Sequence, residues 1–196
     1  MHRQTFFLNQ SEEAMKKYLL SITVSLIACT PAFAHVPVTA APDQLALLNS
    51  SDPREAANKK LVFDFLRVVL DASHVEEVDK YLDKNFVEHN PTLPSGGRDA
   101  LVEFLKVAPR GELQPTLKGS VVAITADGDL VTVVFVWPES DPCIPGLTYT
   151  ATQFDMFRVV NGKIVEHWDD TRRGVPLPGG ARPCLNPAAG TPTPRN

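Results

Sequence analysis

The chain has 196 residues, of which 43% are hydrophobic, and a formal net charge of −4. That length is enough for one domain with a full apolar core. The acidic balance, with no block of Lys or Arg after the N-terminal segment, excludes a nucleic-acid groove and a polybasic membrane patch.

Residues 1–34 read as an export signal. Met15-Lys16-Lys17 supplies a basic start and Tyr18 to Ala28 an eleven-residue apolar run. Pro31 then precedes Ala32-Phe33-Ala34, small residues where a signal peptidase cleaves. Eleven apolar residues cannot cross a hydrocarbon layer of ~30 Å, so no membrane span is expected. Met1 to Ala14, with Glu12 and Glu13 ahead of the lysines, fits a signal poorly, which places the working start at Met15. Leu26-Ile27-Ala28-Cys29 also resembles a lipobox, in which case Cys29 would carry a lipid. Cleavage after Ala34 leads to a periplasmic or secreted protein, and the alternative is a lipoprotein anchored through Cys29. In that oxidising compartment Cys143 and Cys184 form an even pair, and a disulfide between them would tie the tail to the sheet.

Residues 35–51, rich in Ala and Pro, read as a linker, and the folded domain is expected over 52–173. Asp52-Pro53-Arg54-Glu55 announces a helix through an acidic N-cap, a proline at N1 and a glutamate at N3. Leu61, Val62, Phe65, Leu66, Val69 and Leu70 follow at helical spacing and form one broad stripe to be buried. Ser73-His74-Val75-Glu76 opens a second, shorter helix with Val75, Val78 and Leu82 on one face. Phe86 to Pro91 reads as a short extended piece, and Arg98 to Val107 as a third helix behind Gly96-Gly97.

After Pro109 the pattern turns to strands. Leu117 to Ala126 and Leu130 to Trp137 flank Asp127-Gly128-Asp129, and Thr148 to Val160 and Lys163 to Asp170 flank Asn161-Gly162. Three N-terminal helices packed on a curved antiparallel sheet make an α+β fold, with the helices on one concave face. The tail, 174–196, holds six prolines and four glycines and needs external tethering to be ordered.

The last hairpin carries the chemistry. A carboxylate interrupts each of its apolar strands, Asp155 before the turn and Asp169 after it. Such a group must be solvated, paired, or lining a cavity. Whether the two meet depends on register. A two-residue turn sets Asp155 against Trp168 and Asp169 against Phe154, so the acids point to opposite faces. A three-residue loop with Gly162 in a glycine bulge sets Asp155 against His167 and Asp169 against Gln153, all on one face. The sequence allows both.

The order of elements, with Glu88-His89-Asn90-Pro91 after the second helix and the closing Asn161-Gly162-Lys163-Ile164-Val165-Glu166-His167-Trp168-Asp169, resembles the SnoaL-like branch of the nuclear transport factor 2-like superfamily. The resemblance covers roughly Asp52 to Arg172. It implies a curved sheet wrapped around a helix and a cone-shaped pocket that admits a small hydrophobic molecule. In the polyketide cyclase members an acid lies in the last strand, at the position of Asp169, with a polar partner at that of Asp155. Epoxide hydrolase relatives add an arginine two residues before the first aspartate. Gln153 stands there instead, which counts against water attack on an epoxide.

On that likeness Asp169, Asp155, His167 and His89 are the candidate acid–base residues, and Asn90, Trp137, Gln153 and Phe157 the candidate ligand contacts. A carboxylate in a poorly solvated cone would take a proton from carbon beside a carbonyl and return it to the new alkoxide. The histidines would bond the enolate oxygen or hold an aspartate in place. Plain structural roles compete: His89 bracing a turn, His167 as a cross-strand partner, Trp137 and Trp168 as packing, Glu166 paired with Arg158 or Lys163 on the solvated face. No metal and no cofactor are expected, because the chain has neither a His-x-x-x-His nor a Cys-x-x-Cys pair, and it lacks a Gly-x-Ser-x-Gly elbow. The expected function is binding of a small hydrophobic carbonyl compound, with aldol-type or isomerase-type proton transfer. The alternatives are a non-catalytic ligand-binding module and a dimeric interaction module; a homodimer is the expected assembly.

Overall fold

The structure, a computed structural model, describes residues 36–93, 95–141 and 146–171. The chain divides into two units, Met1–Val36 and Pro37–Asn196, and every element named below belongs to the second. The export signal, Cys29, Cys143, Cys184 and the tail lie outside the described residues. Among the described residues no helix is long and apolar enough to cross a membrane.

Helix α1 (Pro53–Phe65) starts where its cap residues announce it. The Asp52 carboxylate accepts from the Arg54 N–H at 2.7 Å, with Pro53 in the first turn. The helix continues as a π-helical segment, Leu66–Asp71. Together they bury Val62, Phe63, Phe65, Leu66 and Val69.

The expected second helix is a 3-10 segment, Val75–Lys80. Ser73 sits at φ +56°, which ends the preceding helix, and only eight residues, 74–81, remain before Leu82 enters a strand, six of them in the 3-10 segment. Six residues containing two valines cannot offset the cost of α-helix nucleation. Among the described residues there are therefore two α-helices, α1 and α2 (Gly97–Leu105), rather than the three expected.

The strands are β1 (Leu82–Glu88), β2 (Ser120–Asp127), β3 (Leu130–Ser140), β4 (Thr148–Val160) and β5 (Lys163–Asp169), in the order β1-β5-β4-β3-β2. The last four form an antiparallel meander, as their turns predict. β1 corrects the expectation of a wholly antiparallel sheet, because it runs parallel to β5 at the edge. It is also longer than the short extended piece expected. β5 supplies the missing backbone partners: the Ile164 N–H donates to the Tyr81 carbonyl at 2.8 Å, and the His89 N–H to the His167 carbonyl at 3.0 Å. Register shifts in β1, in β2 and between β4 and β5 bend the sheet.

Helix α1 lies against β2 and β3, and α2 against β1. Val131, Val133, Phe135, Phe157, Val159 and Ile164 meet the α1 side chains in the buried core. Within the expected linker, residues 41–49 are bonded to the domain. The Ala41 N–H donates to the Val121 carbonyl at 2.8 Å. The Gln44 side chain donates to the Gly119 carbonyl at 3.0 Å and accepts from the Leu117 N–H at 2.9 Å. Buried Lys59 holds the Leu47 and Asn49 carbonyls at 3.2 and 3.0 Å. Gln44 satisfies backbone groups just ahead of β2 and Lys59 satisfies carbonyls of the segment itself, which ties the segment to the domain.

Candidate functional site

The β4–β5 hairpin takes neither simple register. Asn161 and Gly162 have φ of +50° and +72°, a two-residue type I′ turn, and Val160 faces Lys163 across it. One residue later the ladder shifts: Val159 pairs with Ile164, but Arg158 pairs with Glu166, leaving Val165 as the extra residue. Beyond that bulge Asp155 stands directly opposite Asp169, and Phe157 opposite His167. The acids share a face, through a bulge inside the strand rather than a longer turn.

Asp155 is 7% exposed. The Nε2 of His167 lies 3.5 Å from its Oδ1, and the Gln153 amide donates to the same oxygen at 3.2 Å. The Asn90 side-chain amide and the Thr171 N–H both donate to Asp169. His167 faces a third carboxylate as well: its Nδ1 is 2.9 and 3.0 Å from the two oxygens of Glu88, whose side chain is 6% exposed. The Phe157 ring stacks on the imidazole at 4.6 Å and 24°. The arrangement is a buried chain, Glu88–His167–Asp155, with Asp169 beside it.

Burial of His167 disfavours its charged form, but the hydrogen bonds and opposite charges of Asp155 and Glu88 outweigh this, raising its pKa from 6.5 to about 9. The ring is an imidazolium at neutral pH. Asp155, His167 and Asp169 each offer an atom within 4.8 Å of the others. A divalent cation there would have to displace the proton that His167 holds.

A raised histidine pKa makes folding depend on pH. The stabilisation is complete below the unfolded value of 6.5 and is lost as pH rises through about 9. The shift corresponds to on the order of 3 kcal/mol. Urea unfolding at pH 6 and pH 9.5 is expected to show a loss of that order in the wild type, and a much flatter dependence in His167→Gln. Equal pH dependence in both proteins would mean that another group is responsible.

His89 corrects an expectation. It does not join the aspartates. Glu88 pairs with His167 in register, so strand alternation turns Glu88 inward and His89 outward. There the 41%-exposed His89 side chain bonds Glu166 at 2.9 Å and stacks on Trp168 at 5.2 Å. Glu166 also pairs with Arg158 at 3.1 Å, as its place on the solvated face predicts. Asn90, one residue on, returns to Asp169.

Gln153 lies on the inner face against Asp155. Trp137 shares that face further along β3, stacked on Phe135 at 6.0 Å and partly exposed. Phe157 is 1% exposed and held edge-on by Phe65 at 6.2 Å, which gives it a packing place rather than a free wall. Glu88 was not among the sequence candidates. A signal for it existed: Leu82 and Phe86 are apolar at even positions, and that period carries on to Glu88 and Asn90, not to His89.

No curated protein matches this chain. Among solved structures it resembles a SnoaL-like polyketide cyclase candidate from Jannaschia sp. CCS1, with 18% identity, 62% of this chain and 91% of the other covered, and a TM-score of 0.45. A SnoaL-like polyketide cyclase from Agrobacterium tumefaciens is 13% identical over 57% of this chain and 88% of its own, with a TM-score of 0.39. An epoxide hydrolase of the LEH-like type from M. tuberculosis is 21% identical over 58% and 80%, with a TM-score of 0.41. The SnoaL-like domain family matches residues 62–167, from α1 through His167 and thus more than half of the chain. The chain belongs to the SnoaL-like family of the nuclear transport factor 2-like superfamily.

Proposed function

We propose that the protein binds a small hydrophobic carbonyl compound on the helix-covered side of the sheet and moves a proton at the carbon beside the carbonyl. The observation that carries this reading is the direct opposition of Asp155 and Asp169, with the His167 imidazolium against Asp155. Asp169 is more open than Asp155 and is held by the Asn90 amide, so it is the carboxylate that meets a ligand. It takes the proton from carbon, and the electron pair of the C–H bond becomes the enolate. The positive charge of His167 stabilises the developing oxyanion. The same proton returns to carbon in an isomerisation, or to the new alkoxide after an intramolecular aldol closure. Gln153 stands where an epoxide hydrolase would carry arginine, so proton transfer fits this site better than epoxide opening.

The test is hydrogen–deuterium exchange at the α-carbon of a panel of cyclic ketones and 1,3-dicarbonyl compounds in heavy water, followed by NMR. The expected result is exchange well above the buffer rate for at least one compound that also binds. Binding with exchange at the buffer rate would make the protein a carrier instead of a catalyst. Export through the leader, the Cys143–Cys184 disulfide and the homodimer belong to the same proposal. Non-reducing intact mass and light scattering of the mature protein bear on them.

A further inference from the structure

Three carboxylates surround one imidazole, and the reaction proposed above uses only two. Glu88 is the remaining one. It ends β1, the parallel edge strand, and its register with His167 brings both carboxylate oxygens to Nδ1, at 2.9 and 3.0 Å. Its side chain is nearly as buried as the core, and among the described residues no Lys or Arg bonds it; it also accepts a hydrogen bond from the Asn90 N–H at 2.8 Å. A buried carboxylate with that single charged partner is costly unless the partner is a cation.

We propose that Glu88 is a positioning residue: it holds the imidazole by Nδ1 and so presents a protonated Nε2 to the space between Asp155 and Asp169. The inference rests on the proton-transfer reading of this site and adds the residue that orients its cation. The geometry is a carboxylate–imidazolium–carboxylate chain in which each end has a separate task. Glu88 fixes the plane and protonation of the ring. Asp155 faces Nε2 as an ion pair at the other end, across 3.5 Å, a contact long enough to be exchanged for a substrate oxygen. Phe157 packs flat on the ring and blocks its rotation out of the chain.

Charged groups bearing on His167 come from three strands. They are Glu88 of β1, Asp155 of β4 and, two residues further along β5, Asp169. Glu88 also links the site to Asn90, which it supports through the backbone while the Asn90 amide holds Asp169. A single side chain thus bears on the orientation of two catalytic candidates.

The test uses the full mature protein with Glu88→Gln, which keeps the size and a hydrogen-bond acceptor but removes the charge. The first readout is the His167 titration by NMR of 15N-labelled histidine, without substrate. The midpoint is expected to fall by about 1–2 pH units, because an opposite charge at hydrogen-bond distance is removed. Deuterium exchange into a responsive carbonyl compound is expected to lose its alkaline limb at the same lowered pH, with KM changed less than kcat. Glu88→Asp, which restores the charge on a shorter arm, is expected to recover part of both. An unchanged His167 midpoint in Glu88→Gln overturns the inference. A shifted midpoint in a protein that exchanges no carbonyl compound keeps the role of Glu88 and removes the catalytic reading, so the two failures are separable. Circular dichroism of each variant establishes that it is folded.

Discussion

Asp169→Asn is expected to lower α-proton exchange by about 100- to 10,000-fold, the usual contribution of a positioned general base. Asparagine matches aspartate in shape and accepts a hydrogen bond, but it takes no proton at neutral pH. Ligand affinity should therefore stay within a few-fold of the wild type. Asp155→Asn is expected to act differently. It removes the charge that His167 Nε2 faces at 3.5 Å, so the imidazole titrates lower and turnover falls through loss of the cation. Exchange rates at saturating ligand, with affinities from calorimetry, separate the two effects. Turnover that survives in both variants would remove these aspartates from the chemistry and leave the fold as a binding scaffold.

Phe157→Ala is expected to destabilise the protein by about 3–5 kcal/mol, the range for deleting a fully buried aromatic ring. The ring is 1% exposed and lies between Phe65 of α1 and His167 of β5, at centroid distances of 6.2 and 4.6 Å. Its removal opens a void under the helix and frees the imidazole at the same time. Phe157→Leu, which fills most of the space, should cost about 1.5 kcal/mol or less, yet still lose the flat contact with His167. Denaturant unfolding measures the stabilities, and the His167 NMR signal reports whether the ring becomes mobile. A cost near zero for Phe157→Ala would mean that core packing does not support the site.

Both predictions depend on parts of the molecule that differ in how far the amino-acid order reveals them. The N-cap at Asp52, the buried stripe from Val62 to Val69 and the two hairpins were all legible, since each is a local pattern of a few residues. Ser73-His74-Val75-Glu76 has the composition of a capping box, yet the positive φ of Ser73 and the nearby strand leave it one 3-10 segment. β1 is only partly legible in the sequence, because an edge strand with Lys84 and Asn85 in its middle has a weak pattern until a partner pairs with it.

Local chemistry alone determined the α+β layout, the tight Asn161-Gly162 turn and the presence of an acid in each arm of the last hairpin. These follow from cap geometry, apolar period and allowed φ values, which act over short stretches. Tertiary structure decided which side chains meet. The bulge at Val165 set Asp155 against Asp169, and the parallel pairing of β1 with β5 brought Glu88 to His167 and turned His89 away. Strand register between distant segments depends on bends and edge contacts summed over the whole sheet, and a shift of one residue exchanges the inner face for the outer.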